Sequence, residues 1–289
     1  MSYPLAGFVR LMAYLPLGVL YVFADMMYFL MAYVIRYRRR VIMRNLRNAF
    51  PEKPEEELRR IRMDFYRHLA DVVAETVKLL TLKDKEILRR CRFEGGGRAL
   101  MEAYYEQGKS FIGLAGHTGN WEWVPPVTTL SVPYSVIPAY RPLRDRVMDR
   151  LLLKLRGRYT FEMVQKNLVG RAMVRYRNMD KPFFLGLIAD QSPRPSGAYT
   201  VRFLNQDTLF FPGPEKLARS FRMPVFFMAL RRIRRGYYDF HTELLTDDPA
   251  SMPEVALSQL FMTKLEEEIR RAPAHWLWSH RRWKHSERK

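Results

Sequence analysis

Residues 11–35 constrain the fold most, because Asp25 is the only charged residue in these 25 positions. A helix needs about 20 predominantly apolar residues to cross the hydrocarbon core of a bilayer. Pro16 and Gly18 weaken the first part of the segment as a helix, and Asp25 would be costly against lipid unless it were paired. The sequence therefore predicts that residues 1–40 associate with a membrane. It leaves open a full span, a tilted or interfacial helix, and an ordinary buried helix pair.

The charges that flank this segment bear on its processing and orientation. A dense basic run follows it, with six arginines between positions 36 and 47. A cleavable signal peptide carries its basic residues before the apolar region, whereas here the main basic flank follows, and no small-residue cleavage site stands out. If the segment spans a bilayer, the positive-inside rule places the following region in the cytoplasm.

Basic residues outnumber acidic ones, with 49 Lys and Arg against 30 Asp and Glu and a net charge of +19. This excess favours anionic partners, but it does not choose among anionic lipid, an acidic protein, a phosphorylated substrate and nucleic acid. Cys91 is the only cysteine, which excludes an intrachain disulfide and a multi-cysteine metal site. The chain therefore suits a reducing compartment.

Helix-like and strand-like segments alternate along the rest of the chain, which is typical of an α/β domain. We therefore expect a mixed, mostly parallel sheet flanked by helices over residues 41–289, preceded by an N-terminal hydrophobic helical anchor over residues 1–40. His68 lies beside an apolar helical stripe and is more typical of packing than of a ligand. Predicted helices cover residues 41–50, 55–80, 98–107, 143–155, 167–178, 214–221 and 253–269, and predicted strands cover residues 111–114, 134–139, 182–189, 223–230 and 237–245.

A histidine follows one of the predicted strands. Residues 111–123 read Phe-Ile-Gly-Leu-Ala-Gly-His-Thr-Gly-Asn-Trp-Glu-Trp, so an apolar run ends in His117, and Glu122 comes five positions later. An imidazole titrates near pH ~6.5 and suits acid–base chemistry. Two residues five apart diverge by about 140° on a helix, so the pair meets only if Glu122 lies in the first turn of a helix capped by Thr118 or Asn120. The carboxylate then accepts the imidazole N–H and leaves the other nitrogen to take a proton.

No serine or cysteine placed as a nucleophile accompanies this pair. The pattern therefore favours direct deprotonation of a substrate hydroxyl over a covalent enzyme intermediate. A second predicted strand, residues 182–189, ends at Asp190, and in open α/β sheets ligands bind outside the carboxyl ends of strands. We therefore expect His117 and Asp190 to share a cleft. The alternative is a capping loop in which His117 has only a structural hydrogen bond.

The motif from His117 to Glu122 resembles the His-x4-Asp/Glu motif of the lysophospholipid and lipid A acyltransferase superfamily. It is most similar to the late lipid A acyltransferases, which add lauroyl or myristoyl chains. Four further blocks resemble that family in the same order, and together they cover residues 10–285. They are Arg141-Pro142, Asp190-Gln191 after an apolar strand, a stretch with Phe203-Leu204, Phe210-Phe211 and Lys216-Leu217-Ala218, and a closing Trp276-Leu-Trp-Ser-His-Arg-Arg-Trp-Lys284.

The resemblance implies a glycerolphosphate-acyltransferase-like fold and transfer of a fatty acyl chain from acyl carrier protein, or from coenzyme A, to a hydroxyl of a lipid A precursor or related glycolipid. It implies a location at the cytoplasmic face of the bacterial inner membrane, and no metal or organic cofactor beyond the acyl thioester. By match to the motif, His117 is the general base and Glu122 orients it. Backbone N–H groups of Gly119 and Asn120 are candidate oxyanion donors. Candidate substrate-binding residues are Asn120, the arginines Arg141 and Arg158 for an acceptor phosphate or acidic sugar, and Asp190 as a clamp or acceptor-site residue.

The blocks depart from the family pattern at residues 190–195 and 205–211. The departure concerns the acceptor and not the chemistry, so a lysophospholipid, an aminolipid and a glycolipid remain open. A different interpretation is a non-catalytic basic protein that binds membranes or, through its C-terminal tryptophans, nucleic acid. It leaves the presence of both His117 and Glu122 unexplained, and no nucleic-acid motif is present. The expected partners are therefore acyl carrier protein, a lipid acceptor and an anionic membrane surface, and not nucleic acid.

Overall fold

The computed structural model describes residues 2–143, 145–178 and 180–285 of the chain. Pro16 divides the apolar N-terminal segment, because proline donates no backbone hydrogen bond and clashes with the preceding helical turn. The segment therefore forms two helices rather than one. The N-terminal elements are α1 (Ser2–Tyr14), α2 (Leu17–Phe29) continuing as a π-helical stretch (Leu30–Val34), α3 (Arg39–Ala49) and α4 (Glu55–Lys78).

Helix α2 packs against α4. Tyr21 contacts Glu75 and Tyr28 contacts Arg67, so the two helices run antiparallel. Small side chains let the two backbones approach closely. The buried residues that the helices share are Leu20 and Ala24 on α2 and Ala70 and Ala74 on α4.

The outer face of α2 is apolar and exposed. Residues Leu17–Val34 are long and apolar enough to cross a membrane by length and composition, and only 17% of this 18-residue window is buried. Asp25 forms an ion pair with Arg235 at 2.7 Å, so the charge expected to be costly has a partner. The exposed apolar residues of this face are Val19, Val22, Phe23, Met26, Phe29, Leu30, Tyr33 and Val34.

The remainder of the chain alternates between helices and strands. The helices are α5 (Asp84–Arg90), α6 (Gly97–Glu106), α7 (Val124–Ser131), α8 (Arg146–Gly157), α9 (Val169–Tyr176), α10 (Gly213–Phe221) and α11 (Ala256–Arg271). The strands are β1 (Cys91–Phe93), β2 (Phe111–Ala115), β3 (Ser135–Tyr140), β4 (Val164–Gln165), β5 (Phe183–Ile188), β6 (Tyr199–Phe203), β7 (Gln206–Phe210), β8 (Val225–Arg234) and β9 (Tyr237–Thr246).

Seven of the described strands form one sheet in the order β1-β9-β8-β2-β5-β3-β4. Every neighbouring pair is parallel except β8 and β9, which form an antiparallel hairpin. The predicted α/β class with a mixed, mostly parallel sheet is confirmed. Strands β2, β5 and β3 are adjacent and parallel, so their carboxyl ends meet at one edge of the sheet, where ligands bind in such folds.

The central strand β2 connects the two faces of the core. Its five residues are all buried, and successive side chains point to opposite faces of a sheet. Ile112 and Leu114 accordingly join one hydrophobic cluster, whereas Phe111 and Ala115 join the other. Burial on both faces explains why this strand reads as a continuous apolar run.

Several short elements were not predicted from the sequence. Strands β1 and β4 have only three and two residues, and β6 and β7 form a separate antiparallel hairpin. The turn of that hairpin has positive φ at both Leu204 and Asn205, which matches the type I′ geometry that two-residue hairpins prefer. Asn tolerates this conformation, whereas Leu rarely adopts it, so the residue pair Leu204-Asn205 does not predict a turn.

Candidate active site

Strands β2 and β5 place His117 and Asp190 side by side. Ala115 pairs with Ile188 in the parallel ladder, and each functional residue lies two positions beyond its strand. The backbone N–H of His117 donates to Asp190 Oδ2 at 2.8 Å, and Nδ1 of the ring lies 2.5 Å from Asp190 Oδ1. The structure thus brings together the two residues that were expected to share a cleft.

Asp190 is held by three hydrogen bonds and is shielded from solvent. Its Oδ2 also accepts the indole N–H of Trp276 at 2.8 Å. Burial by itself would raise the pKa of Asp190, but the charge of His117 and these hydrogen bonds lower the pKa to about 2. Asp190 is therefore an ionised clamp for the imidazole, and its burial keeps it from direct contact with an acceptor.

The contacts of His117 define its tautomer. An ionised carboxylate only accepts, so Nδ1 carries the proton and Nε2 holds a lone pair. Nε2 lies 3.3 Å from the exposed side-chain amide of Gln191, and the ring stands edge-on to Trp121. Burial lowers the pKa of His117, but the charge and hydrogen bond of Asp190, with the charge of Glu122, raise the pKa above its ordinary value. This is the environment of a general base.

The expected hydrogen bond between Glu122 and His117 is contradicted. Glu122 lies in a 3-10 turn before α7, and its two oxygens bind Arg156 of α8 at 2.9 and 2.6 Å. The fork of a guanidinium matches a carboxylate bidentately, which makes this contact a strong one. Glu122 therefore orients Arg156, and it influences His117 only through its charge.

Asn120 is also placed differently from expectation. Its side chain is fully buried and its Nδ2 donates to Glu75 Oε2 at 2.6 Å, so it does not face a substrate and does not cap the following turn. Glu75 also accepts the hydroxyl groups of Tyr21 and Tyr238. A buried carboxylate needs such partners, because an unpaired buried charge is costly. The side chain of Asn120 therefore has a structural role in the loop.

Gly119 gives the loop its shape. Its N–H donates to the carbonyl of His275 at 2.9 Å, and its own carbonyl lies 3.0 Å from Nε2 of His68. Its φ is +54°, and a Cβ at this position would lie 1.7 Å from the carbonyl oxygen of Leu230, so only glycine fits. The Gly119 N–H is thus occupied, whereas the Asn120 N–H has no hydrogen-bond partner among the residues that the structure describes.

The two candidate arginines lie in different surroundings. Arg141 follows β3, at the same sheet edge as His117 and two strands away from it, and it is exposed. Arg158 instead binds the carbonyl of Leu82 and the carboxylate of Asp84 at the surface. The arginine that reaches the motif is Arg156, two positions earlier.

The C-terminal block packs behind Asp190. Trp276 binds Asp190, and Nε2 of His280 accepts the backbone N–H of Ser192 at 3.2 Å. Arg282 is buried, and its guanidinium nitrogens have no hydrogen-bond partner within the described chain. Burial lowers the pKa of Arg282 to about 10, against the opposing effect of the Asp190 charge. This block therefore supports the clamp and adds a positive charge to its surroundings.

The residues that hold the site from outside the motif are not predicted from the sequence. His68 and Glu75 looked like ordinary members of an apolar helix, although their spacing of seven, with Asp71 between them, places three polar residues on one helical face. Arg156 carried no signal that distinguished it from Arg158. In the ranges that the structure describes, His, Cys, Asp and Glu side chains form no group of three or more that could hold a metal ion.

Comparison with known protein families gives a match. The sequence profile of a family described as bacterial lipid A biosynthesis acyltransferase matches residues 2–285, which is nearly the whole chain. A search of curated proteins found no match.

Proposed function

Since the chain belongs to the bacterial lipid A biosynthesis acyltransferase family, we propose that this acyltransferase moves a fatty acyl chain from acyl carrier protein to a hydroxyl of a lipid A precursor or related glycolipid. Coenzyme A is the alternative carrier. The acyl thioester is the only co-substrate that we propose, with no metal or organic cofactor. The single observation that supports the chemistry is the buried Asp190 carboxylate bonded to Nδ1 of His117.

In the proposed mechanism, Nε2 of His117 takes the proton from the acceptor hydroxyl as its oxygen attacks the thioester carbonyl carbon. Asp190 stabilises the imidazolium that forms. The tetrahedral intermediate collapses with cleavage of the carbon–sulfur bond, and His117 returns the proton to the leaving thiolate. The products are the ester and the free thiol, and the base is regenerated without a covalent enzyme intermediate.

The tetrahedral intermediate carries a negative oxygen that needs hydrogen-bond donors. Neither candidate backbone donor is open to a substrate in this conformation, because the N–H of Gly119 is bonded to His275 and Asn120 is fully buried. Arg156 is a further candidate for a cationic contact with substrate, and its pair with Glu122 fixes its direction. Arg141 is our candidate for an acceptor phosphate, because it is exposed at the same sheet edge.

We propose that residues 1–40 attach the enzyme to the cytoplasmic face of the inner membrane and that residues 41–289 carry the chemistry. An in-plane position of α2 is favoured over a full span. Since α2 lies along α4, a span would bring the exposed charged residues Arg60, Asp64 and Arg67 of α4 into the hydrocarbon. The outer face of α2 instead matches an interfacial helix, and the net charge of +19 suits anionic headgroups.

The test is an assay of the purified protein with acylated carrier protein and a lipid A precursor. We expect wild type to transfer the chain, His117→Ala to lose transfer, and His241→Ala to retain it, because His241 pairs with surface carboxylates away from the motif. Parallel reactions with a lysophospholipid and an aminolipid test the alternative acceptors. Full transfer by His117→Ala would exclude the mechanism, and transfer only to another lipid would exclude the acceptor.

A further inference from the structure

Helix α4 presents three buried polar side chains on one face. His68, Asp71 and Glu75 are spaced three and four residues apart, so they lie in a row along the helix. Each is almost inaccessible to solvent. Apolar side chains would fill such positions at lower cost, because buried polar groups destabilise a fold unless they are fully paired. We call these three residues the polar face of α4.

His68 binds the carbonyl of Gly119. A carbonyl oxygen only accepts, so Nε2 of His68 carries the proton in this 3.0 Å contact. Nδ1 is then an acceptor, and it lies 3.3 Å from Nη1 of Arg232, which can only donate. Arg232 is itself held by Asp71 at 2.8 Å. Burial, with nearby His275 and Arg232, holds the pKa of His68 well below its usual range, which keeps this neutral tautomer.

This contact fixes the direction of one peptide group. The peptide between Gly119 and Asn120 is trans, so its carbonyl and its N–H point in opposite directions. Because the carbonyl points to His68, the Asn120 N–H points away from α4. His275 holds the preceding N–H of the loop through its carbonyl. The peptide therefore cannot rotate without breaking a buried hydrogen bond.

Glu75 holds the next side chain of the same loop. Its Oε2 accepts Nδ2 of Asn120 and the hydroxyl of Tyr238, both at 2.6 Å. Its Oε1 accepts the hydroxyl of Tyr21 on α2 at 2.9 Å. His68 and Glu75 of one helix thus bind two consecutive residues of the motif loop, residues 116–120. Neither His68 nor Glu75 can contact a substrate, because both are buried.

We propose that His68 and Glu75 are positioning residues for acyl transfer, which hold the Gly119–Asn120 peptide in one orientation and so fix the loop that carries His117. The inference rests on the proposed function. It predicts loss of kcat rather than loss of substrate binding, because a displaced general base slows the proton transfer more than it weakens binding.

The first test compares two substitutions of His68. Glutamine retains an amide N–H that can reach the Gly119 carbonyl, whereas leucine has none. We expect His68→Leu to lower kcat by about 10- to 100-fold with KM within about threefold, and His68→Gln to recover most of the loss. Tyr66→Phe is the matched control, because it removes another hydrogen bond of α4, the partly buried one to the Tyr37 carbonyl, which does not reach the loop.

The second test exchanges the partners of the Glu75 contact. Asn120→Asp places two carboxylates together and should displace the loop, so kcat should fall by at least about tenfold. Adding Glu75→Gln restores an amide–carboxylate hydrogen bond in the reverse direction and should recover activity. A double variant that stays as inactive as Asn120→Asp would overturn the role of Glu75. This pair of substitutions also tests the proposal if His68→Leu fails to fold.

Hydrogen exchange of residues 118–123 gives a readout that does not depend on activity. We expect faster exchange in His68→Leu and in Asn120→Asp, and wild-type exchange in Tyr66→Phe. If the variants change the exchange of the loop as expected but the wild-type protein transfers no acyl chain, the proposed function is wrong and the loop contacts are supported. If wild type is active and folded His68→Leu matches it in kcat and in loop exchange, the positioning role is wrong.

Discussion

His117 is influenced by two carboxylates in different ways. Asp190 is buried and hydrogen-bonded to the ring, whereas Glu122 is bound by Arg156 and acts through its charge. Both negative charges favour the imidazolium, so the base is stronger than a free histidine. A stronger base pulls harder on the acceptor proton, but it is unprotonated only at higher pH.

The pH dependence of activity follows from this. The proton on Nε2 must leave before His117 can act, so kcat/KM should rise with pH, with a midpoint above the ordinary histidine pKa of about 6.5. Asp190→Asn removes the charge that raises the pKa of His117, so its midpoint should move down, and its rate should fall about 10²- to 10⁴-fold as the tautomer is lost. Initial rates from about pH 5 to 9 measure both effects. A wild-type midpoint at or below 6.5 would contradict the raised pKa.

Glu122 and Arg156 should behave as one unit. We expect Glu122→Ala and Arg156→Ala each to lower kcat/KM by about tenfold or more, and the double variant to be no worse than the poorer single one, because each removes the same pair. The exposed pair of Glu162 and Arg175 is the control, and its loss should leave the rate unchanged. Additive losses in the double variant would show that the two residues act separately.

The residues of the site differ in how far the sequence could predict them. His117 was identified because an apolar strand precedes it, and Asp190 for the same reason. The partner of His117 was misassigned to Glu122 because spacing along the chain describes only local contacts, whereas Asp190 arrives through the pairing of β2 with β5. Arg156 could not be foreseen, since its contact with Glu122 depends on how α8 packs.

At the scale of elements, contacts from several sides hold the loop that carries His117 and Gly119. It is held by α4, by the carbonyl of His275 after α11, and by the close approach of Leu230 on β8. Three elements far apart in sequence therefore converge on one glycine. Such convergence preorganises a site at a cost that the packing of the elements must offset.

Gly119→Ala tests this convergence. A methyl group there would meet the Leu230 carbonyl at 1.7 Å, so the loop must move, and we expect acyl transfer to fall at least about 100-fold. Gly95→Ala is the matched control, because Gly95 has a similar φ of +57° but nothing within 4 Å of the added carbon. It should cost about 1 kcal/mol of folding free energy and leave the rate unchanged. Equal rates in the two variants would show that the loop tolerates displacement.

Elements with a strong apolar signal were predicted, and those without one were not. The five predicted strands all exist, because each is buried and apolar or strongly alternating. Strand β1 is too short for periodicity to register, and β6 and β7 carry polar residues on their exposed face. Helix α7 is not among the predicted helices, although a helix that begins near Glu122 is the condition for the expected contact with His117. The prolines near the start of α7 are tolerated in the first helical turn.

For the molecule as a whole, the apolar helix and the catalytic loop belong to one connected structure. Asp25 on α2 binds Arg235, Arg235 shares Asp71 with Arg232, and the network continues to the motif through His68. The sequence predicted an anchor followed by a domain. It could not predict that α2 packs into the domain, because neither the apolar pattern of α2 nor that of α4 indicates which helix it contacts.

Membrane attachment should depend on the outer face of α2. Met26 and Val174 are similarly exposed, at 57% and 63%, but only Met26 belongs to the continuous apolar face. We expect Met26→Glu to weaken binding to anionic vesicles at least about tenfold, since it places a charge in the buried face of an interfacial helix, and Val174→Glu to have no effect. Vesicle sedimentation measures this, with the thermal unfolding midpoint as a check on folding. Equal binding by wild type and Met26→Glu would move the membrane contact elsewhere.

The single cysteine has a practical consequence. Cys91 begins β1, it is buried, and burial raises the pKa of its thiol, so it reacts poorly with labelling reagents. A cysteine introduced at Val22 or Phe23 would therefore be the one readily labelled thiol without any change to the native residue. A fluorophore attached there, quenched by reagents fixed at known depths in a lipid bilayer, would report how deeply the helix is immersed during turnover.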